Sequence, residues 1–295
     1  MAKARVSDAI EIEYDVMGDP SHPPMLWIMG FTAQMTAWPE EFMQLFVDQG
    51  FSVIRFDNRD CGLSTKLDGV VVNTDAVIQA ALFEEPAPPT PYTLSDMAAD
   101  AVGVLDHLGI ERAHVIGASM GGMIAQTVAV EHPHRVLTLT SIMSNPGDPE
   151  VGQPTPEAAA TLLAPAPPER ADYIASAANW AVWQSKKYFD LKAAQERAAR
   201  EYDRSFYPEG APRQLAAIYA SGRRSEKLRD LRMPTLVIHG LDDTLITPSG
   251  GERTAELIPN ARLLMVEDMG HDLPEPLWPM YVEEICSHAR QAHVA

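Results

Sequence analysis

Short apolar runs alternate with segments of helical periodicity through the first half of the chain. The runs Ile10 to Val16, Met25 to Met29, Ser52 to Phe56, His114 to Ala118 and Val136 to Ser141 are each bounded by Gly, Pro, Asp or Asn. Several do not alternate apolar with polar residues, as expected for strands covered on both faces. Between them, Leu94, Met97, Ala98, Ala101, Val102, Leu105 and Leu108 recur at helical spacing, so Tyr92 to Gly109 is predicted to be a helix, opened by the capping pair Thr93 and Asp96. Strand chemistry returns at Pro234 to His239 and Ala261 to Val266, with one helix expected between them and another after Pro279. The pattern predicts an α/β protein with a mostly parallel central sheet flanked by helices.

The alternation stops near Pro146. A stretch dense in Pro, Ala, Thr and Glu leads into helical character from Arg170 to about Arg224. This is read as a helical cap inserted at 146–227, interrupting a single core domain formed by 1–145 and 228–295. Nine of the 21 aromatic residues fall within it, among them Trp180 and Trp183, which suggests an apolar lid. A second Pro-rich stretch, Glu85 to Pro91 within the longer segment Lys66 to Pro91, is expected to be a surface loop or excursion with little regular structure of its own.

Charge narrows the partners. With 23 Lys plus Arg against 41 Asp plus Glu, the net charge of −18 disfavours nucleic-acid binding. No apolar run has the length of a membrane span, and Met1 to Tyr14 has no signal-like apolar core, so a cytoplasmic protein is expected. Cys61 and Cys286 have no ligand or disulfide spacing and are read as free thiols. No H-E-x-x-H, Walker A or helix-opening G-x-G-x-x-G is present. Neither a metal nor a cofactor is therefore expected.

The sharpest chemical signal is Gly117-Ala118-Ser119-Met120-Gly121, which follows one predicted strand and precedes the predicted helix Gly122 to Glu131. In that context G-x-S-x-G describes a nucleophile elbow, with glycines where strand and helix must approach closely. A serine hydroxyl is a weak nucleophile at neutral pH and needs a base oriented by a third group. Both follow in order at strand ends, in Gly240-Leu241-Asp242-Asp243 and Met269-Gly270-His271. His271 is assigned as base and Asp243 as orienting acid, with Asp242 and Asp268 as nearby alternatives. His239, inside an apolar strand, reads as a core residue. Backbone amides of Phe31 and Met120 are the expected oxyanion donors. Gly30, Phe31, Met120, Trp180 and Trp183 are the expected substrate contacts.

Together with Asp57-Asn58-Arg59-Asp60-Cys61-Gly62-Leu63-Ser64, these motifs resemble the α/β-hydrolase superfamily over nearly the whole chain. Within it, RFDNRD-x-G-x-S, GASMGG and MGHDLP are most similar to aclacinomycin methylesterase and LipG-type bacterial esterases and lipases. The resemblance implies a carboxylic-ester hydrolase with a helical cap. Many superfamily members carry His-Gly where this chain has Met29-Gly30, which leaves the oxyanion to backbone amides here. The expected reaction is hydrolysis of an uncharged small-molecule ester through an acyl-enzyme. Perhydrolysis or acyl transfer on the same triad, or a ligand-binding receptor with a retained pocket, are the competing readings.

Overall fold

The computed structural model describes residues 2–292; Met1 and 293–295, the ends of the expected core domain, lie outside the described residues. Eight strands form one sheet: β1 (Ala2–Arg5), β2 (Glu11–Met17), β3 (Pro24–Ile28), β4 (Ser52–Phe56), β5 (Ala113–Ala118), β6 (Val136–Ile142), β7 (Thr235–Gly240) and β8 (Arg262–Val266). Their order is β1-β2-β4-β3-β5-β6-β7-β8. The first two strands run antiparallel to their neighbours, and β4 through β8 pair in parallel.

Side chains alternate across a strand, and β3 shows the result. Leu26 and Ile28 pack into one apolar cluster with helices α3 (Leu94–His107) and α4 (Met120–Glu131). Met25 and Trp27 point into a second cluster with α1 (Glu40–Asp48) and α11 (Trp278–Gln291). Two covered faces explain why the central strands read as unbroken apolar runs. The capping box expected at Thr93 and Asp96 is present, with the Thr93 amide donating to Asp96 Oδ2 at 2.8 Å.

Two expectations are corrected. Lys66 to Pro91 is not devoid of regular structure: α2 (Thr74–Leu82) lies within it, its N-terminus capped by Asn73, whose side chain accepts from the Ala76 amide. Asn at the cap and the run Ala76 to Leu82 favour a helix, a signal overshadowed by the flanking prolines. The helical stretch Arg170 to Arg224 is also broken. Between β6 and β7 lie α5 (Pro156–Leu163), α6 (Arg170–Ser176), a 3-10 turn at Ala177–Val182, α7 (Leu191–Ser205), α8 (Ala211–Ser221) and the single turn α9 (Ser225–Leu228). Asp190 starts α7 by accepting from the Lys192 and Ala193 amides; Pro208 lies between it and α8, whose first turn holds Pro212. The last helix before β8 is α10 (Ser249–Leu257). Among the described residues no helix is long and apolar enough to cross a membrane.

The loop after β4 ties this helical segment to the sheet. Arg204 of α7 reaches Asp57 at 2.8 Å. Arg213 of α8 forms a two-pronged pair with Asp60, Nε to Oδ2 and Nη2 to Oδ1, both at 2.8 Å. Arg213 and Asp60 are 4% and 2% exposed, so each charge depends on the other. Asp60→Ala is expected to cost about 3–5 kcal/mol by leaving a buried guanidinium without its carboxylate. A urea unfolding curve checks this, and a midpoint unchanged from wild type would contradict it.

A second buried group gives a pH signature. His288 of α11 lies 2% exposed with Nε2 at 3.1 Å from the Leu139 carbonyl, and burial lowers its pKa to about 4. The unfolded chain, with an ordinary value near 6.5, binds this proton more readily. The His288 contribution is therefore complete above about pH 6.5 and lost as pH falls toward 4, amounting to about 3 kcal/mol. His288→Gln is expected to flatten the fall in melting temperature across that window; an unchanged slope would count against it.

Candidate active site

Strand β5 ends at Ala118, and α4 begins at Met120, leaving Ser119 as the single residue of the turn. Its φ of 58° and ψ of −124° lie where L residues are strained, and such strain survives only when the surroundings over-determine it. The Ser119 amide donates to the Ile142 carbonyl at 2.9 Å, while its own carbonyl accepts from the Ser144 hydroxyl at 2.8 Å. Sterics require both elbow glycines. A Cβ at position 117 would sit 2.0 Å from the Gly121 carbonyl oxygen, and one at position 121 would sit 2.1 Å from that of Ile28.

The same close approach brings the end of β3 against the elbow. A Cβ on Gly30 would lie 3.0 Å from the Ser119 Cβ, so the Gly30-Phe31 peptide borders the serine directly. Asn58 fixes the start of this loop by donating to the Met29 carbonyl at 2.8 Å.

Asp243 follows β7 and His271 follows β8. His271 Nδ1 contacts Asp243 Oδ2 at 2.7 Å, leaving Nε2 as the free ring nitrogen of that pair. The other carboxylate oxygen, Oδ1, accepts from the Leu245 and Ile246 amides, each at 2.9 Å. Asp243 is buried at 2% exposure, so its orientation is set by these donors. The nearby alternatives point elsewhere: Asp242 pairs with Lys186 and Asp268 with Lys187. His239 is fully buried with Nε2 at 2.7 Å from the Ile246 carbonyl, and burial lowers its pKa, as suits a neutral core histidine.

The His271 loop is stitched to the helical segment. The His271 amide donates to the Trp183 carbonyl at 2.6 Å. Asp272 Oδ1 accepts from the Ser185 amide at 3.0 Å and the Gly270 amide at 3.2 Å. Burial pushes the Asp272 carboxyl up to about 6.

One cavity of about 1460 Å³ joins these parts. Ser119, His271, Gly30, Phe31, Met120, Trp180 and Trp183, singled out from the sequence, all line it. Of the other aromatic residues between β6 and β7, Tyr173, Tyr202, Phe206, Tyr207 and Tyr219 also reach it. Met123, Met143, Leu215 and Asp272 belong to the wall as well, residues with no local sequence signal beyond their place near the motifs. Cys61 and Cys286 are free and buried. Among the described residues no cluster of His, Cys, Asp and Glu is arranged to hold a metal ion.

Comparison with known proteins agrees with this architecture. The family model described as alpha/beta hydrolase fold matches residues 23–275. The rhodomycin D methylesterase of Streptomyces peucetius is 28% identical over 310 aligned residues, covering 98% of each chain. Among solved structures, the enol-lactonase from Burkholderia xenovorans LB400 superposes with a TM-score of 0.71 at 23% identity, covering 98% of this chain and all of that one (100%). A thermophilic esterase from Thermogutta terrifontis gives 0.72 at 23% identity, covering 99% of this chain and 98% of its own. The eight-stranded sheet, the serine elbow between β5 and α4, and a family match across most of the length together establish that the chain belongs to the α/β-hydrolase family.

Proposed function

We propose that this hydrolase is a serine esterase acting on an uncharged carboxylic ester, with Ser119 as nucleophile, His271 as general base and Asp243 as the residue that orients it. The observation that carries the reading is the 2.7 Å contact of His271 Nδ1 with a buried Asp243, His271 lining the same cavity as the elbow serine. Asp243 favours the tautomer with hydrogen on Nδ1, which leaves Nε2 with a lone pair for the Ser119 proton.

Ser119 Oγ attacks the ester carbonyl carbon as its proton passes to His271 Nε2. The carbonyl oxygen becomes an oxyanion, received by the Phe31 and Met120 amides. Collapse breaks the C–O bond, and His271 returns the proton to the departing alcohol. Water, deprotonated by His271, then releases the acid and restores Ser119.

The cavity supports a bulky substrate. Its volume of about 1460 Å³ exceeds that of ordinary small-ligand pockets, and Met120, Met123, Met143, Trp180, Trp183 and Leu215 supply an apolar wall. With a relative named rhodomycin D methylesterase, the favoured reaction is removal of the methyl group from the methyl ester of a large, mostly apolar acid. The segment 146–227 acts as the cap over a core of 1–145 and 228–295, closing the site so that water near the oxyanion is restricted.

A fluorophosphonate probe tests the mechanism. Peptide mass spectrometry is expected to locate one adduct on Ser119, with methanol released faster from the methyl ester of a polycyclic aromatic acid than from methyl acetate. A folded protein that takes no label at Ser119 would sink the serine reading. Preference for methyl acetate would sink the bulky-substrate part alone.

A further inference from the structure

The loop that presents Phe31 is held in an unfavourable shape by the helical segment. Thr32, a β-branched residue, has φ 56°, in the left-handed region that such residues avoid. Strain of this kind persists where neighbouring groups fix the backbone. Two side chains grip this residue from opposite sides. Gln214 Oε1 accepts from the Thr32 amide at 2.8 Å, and Cys61 Sγ donates to the Thr32 carbonyl at 3.2 Å. Burial raises the Cys61 thiol well above its ordinary pKa, which keeps that donor protonated.

Gln214 is itself fixed. It is fully buried, and its Nε2 donates to the Arg59 carbonyl at 2.9 Å. Its neighbour Arg213 carries the pair with Asp60, so the first turns of α8 are pinned to the loop after β4. At the far end of the Phe31 loop, Gln34 Nε2 donates to the Glu201 carbonyl at 2.6 Å, and its Oε1 accepts from Arg204 at 2.6 Å. Contacts from α7 and α8 thus add to those that the loop after β4 makes through Asn58, Cys61 and Asp57, whose Oδ1 accepts from the Met35 amide at 2.7 Å, and the Thr32 amide itself is held from α8.

We propose that Gln214 is a positioning residue for ester hydrolysis: by holding the Thr32 amide it fixes the Gly30-Phe31-Thr32 backbone so that the Phe31 N–H faces the developing oxyanion. The proposal rests on the serine-esterase reading above. Its consequence is that the oxyanion site is complete only when α8 is seated on the core, so cap docking and transition-state stabilisation are one event. A donor aimed in advance stabilises the transition state; a donor free to swing away loses that advantage while substrate binding, made mainly by the apolar wall, is unaffected.

The test compares Gln214→Asn, which withdraws the amide by one methylene, with Gln214→Glu, which keeps an acceptor for Thr32 and, as the neutral acid that full burial favours, an O–H donor for the Arg59 carbonyl. Rates are normalised to active sites titrated with fluorophosphonate, so that a misfolded fraction does not count. For Gln214→Asn, kcat is expected to fall roughly 10- to 100-fold with KM within about threefold, a part of what loss of a whole oxyanion donor costs. The inhibition constant of a trifluoromethyl ketone, which forms a tetrahedral adduct on Ser119, should rise by a similar factor. Gln214→Glu should recover most of the rate. A purely structural role would lower the titrated fraction and leave kcat per site intact.

The proposal is overturned if kcat per site stays within threefold of wild type in Gln214→Asn, if the ketone binds unchanged, or if Gln214→Glu is as impaired as Gln214→Asn. If Gln214→Asn does not fold, Gln214→Met, close in size and lacking both polar atoms, is read by the same criteria. Wild-type hydrolysis in Ser119→Ala would instead remove the serine reading, and this proposal with it; that result is distinct from a Ser119-dependent enzyme indifferent to Gln214.

Discussion

Ser119→Ala is expected to lower kcat for ester hydrolysis by on the order of 10³-fold or more while leaving the protein folded. The hydroxyl is the only group removed. The elbow is held by backbone contacts that alanine keeps: the Ser119 amide to Ile142, and the Ser119 carbonyl to the amides of Gly122 and Met123 and the hydroxyl of Ser144. The strained φ of 58° is as unfavourable for alanine as for serine, so stability should differ little. A residual rate above that in water would come from the remaining amides and from substrate binding. A factor of 10³ corresponds to about 4 kcal/mol of transition-state stabilisation, too large for a small shift in the pocket. Initial rates on methyl and p-nitrophenyl esters, alongside melting curves, check it. A variant within tenfold of wild type and equally stable would show that Ser119 is not the nucleophile.

Legibility in the sequence follows from how local each signal is. The parallel strands were readable because burial on both faces makes them apolar without interruption, as at Val53, Ile54 and Phe56 in β4. The serine elbow was readable because three residues within five positions, Gly117, Ser119 and Gly121, carry the steric and chemical requirement. Strand β1 was not: in Ala-Lys-Ala-Arg only Ala4 is buried, and an edge strand paired on one side needs little apolar character. Helix α2 was masked by the prolines that follow it. The contacts that seat the helical segment were out of reach altogether, since Asp60 and Arg213 are 153 residues apart and Thr32 and Gln214 are 182 apart. Such pairs obey no periodicity. The motif Asp57 to Ser64 could be recognised by resemblance, yet what Asp57 and Asp60 do is visible only in their contacts with Arg204 and Arg213. Likewise Asp242 and Asp243 are adjacent in sequence, and only side-chain direction separates the one that meets Lys186 from the one that meets His271.

That difference in direction makes Asp243→Asn the more informative of the acid substitutions. Asp243 Oδ1 is committed to the Leu245 and Ile246 amides at 2.9 Å, so an asparagine must place its carbonyl oxygen there to avoid opposing two donors with an NH₂ group. Its Nδ2 then occupies the position of Oδ2, 2.7 Å from His271 Nδ1. A donor facing Nδ1 forces that nitrogen to accept, and the imidazole proton moves to Nε2. His271 would still line the cavity with Ser119 but could no longer take its proton, because the lone pair on Nε2 is gone. The expected loss is about 10⁴-fold in kcat near pH 8, with the fold retained since both backbone donors keep an acceptor. Asp242→Asn, which removes only an exposed pairing with Lys186, should leave the rate within about twofold. The two variants differ by one position and by the same chemical change, so nonspecific effects of lost negative charge cancel between them. Equal rates for both would remove Asp243 from the mechanism; a large loss confined to Asp243→Asn would show that tautomer control of His271, set by two backbone amides beyond the active site, underlies turnover.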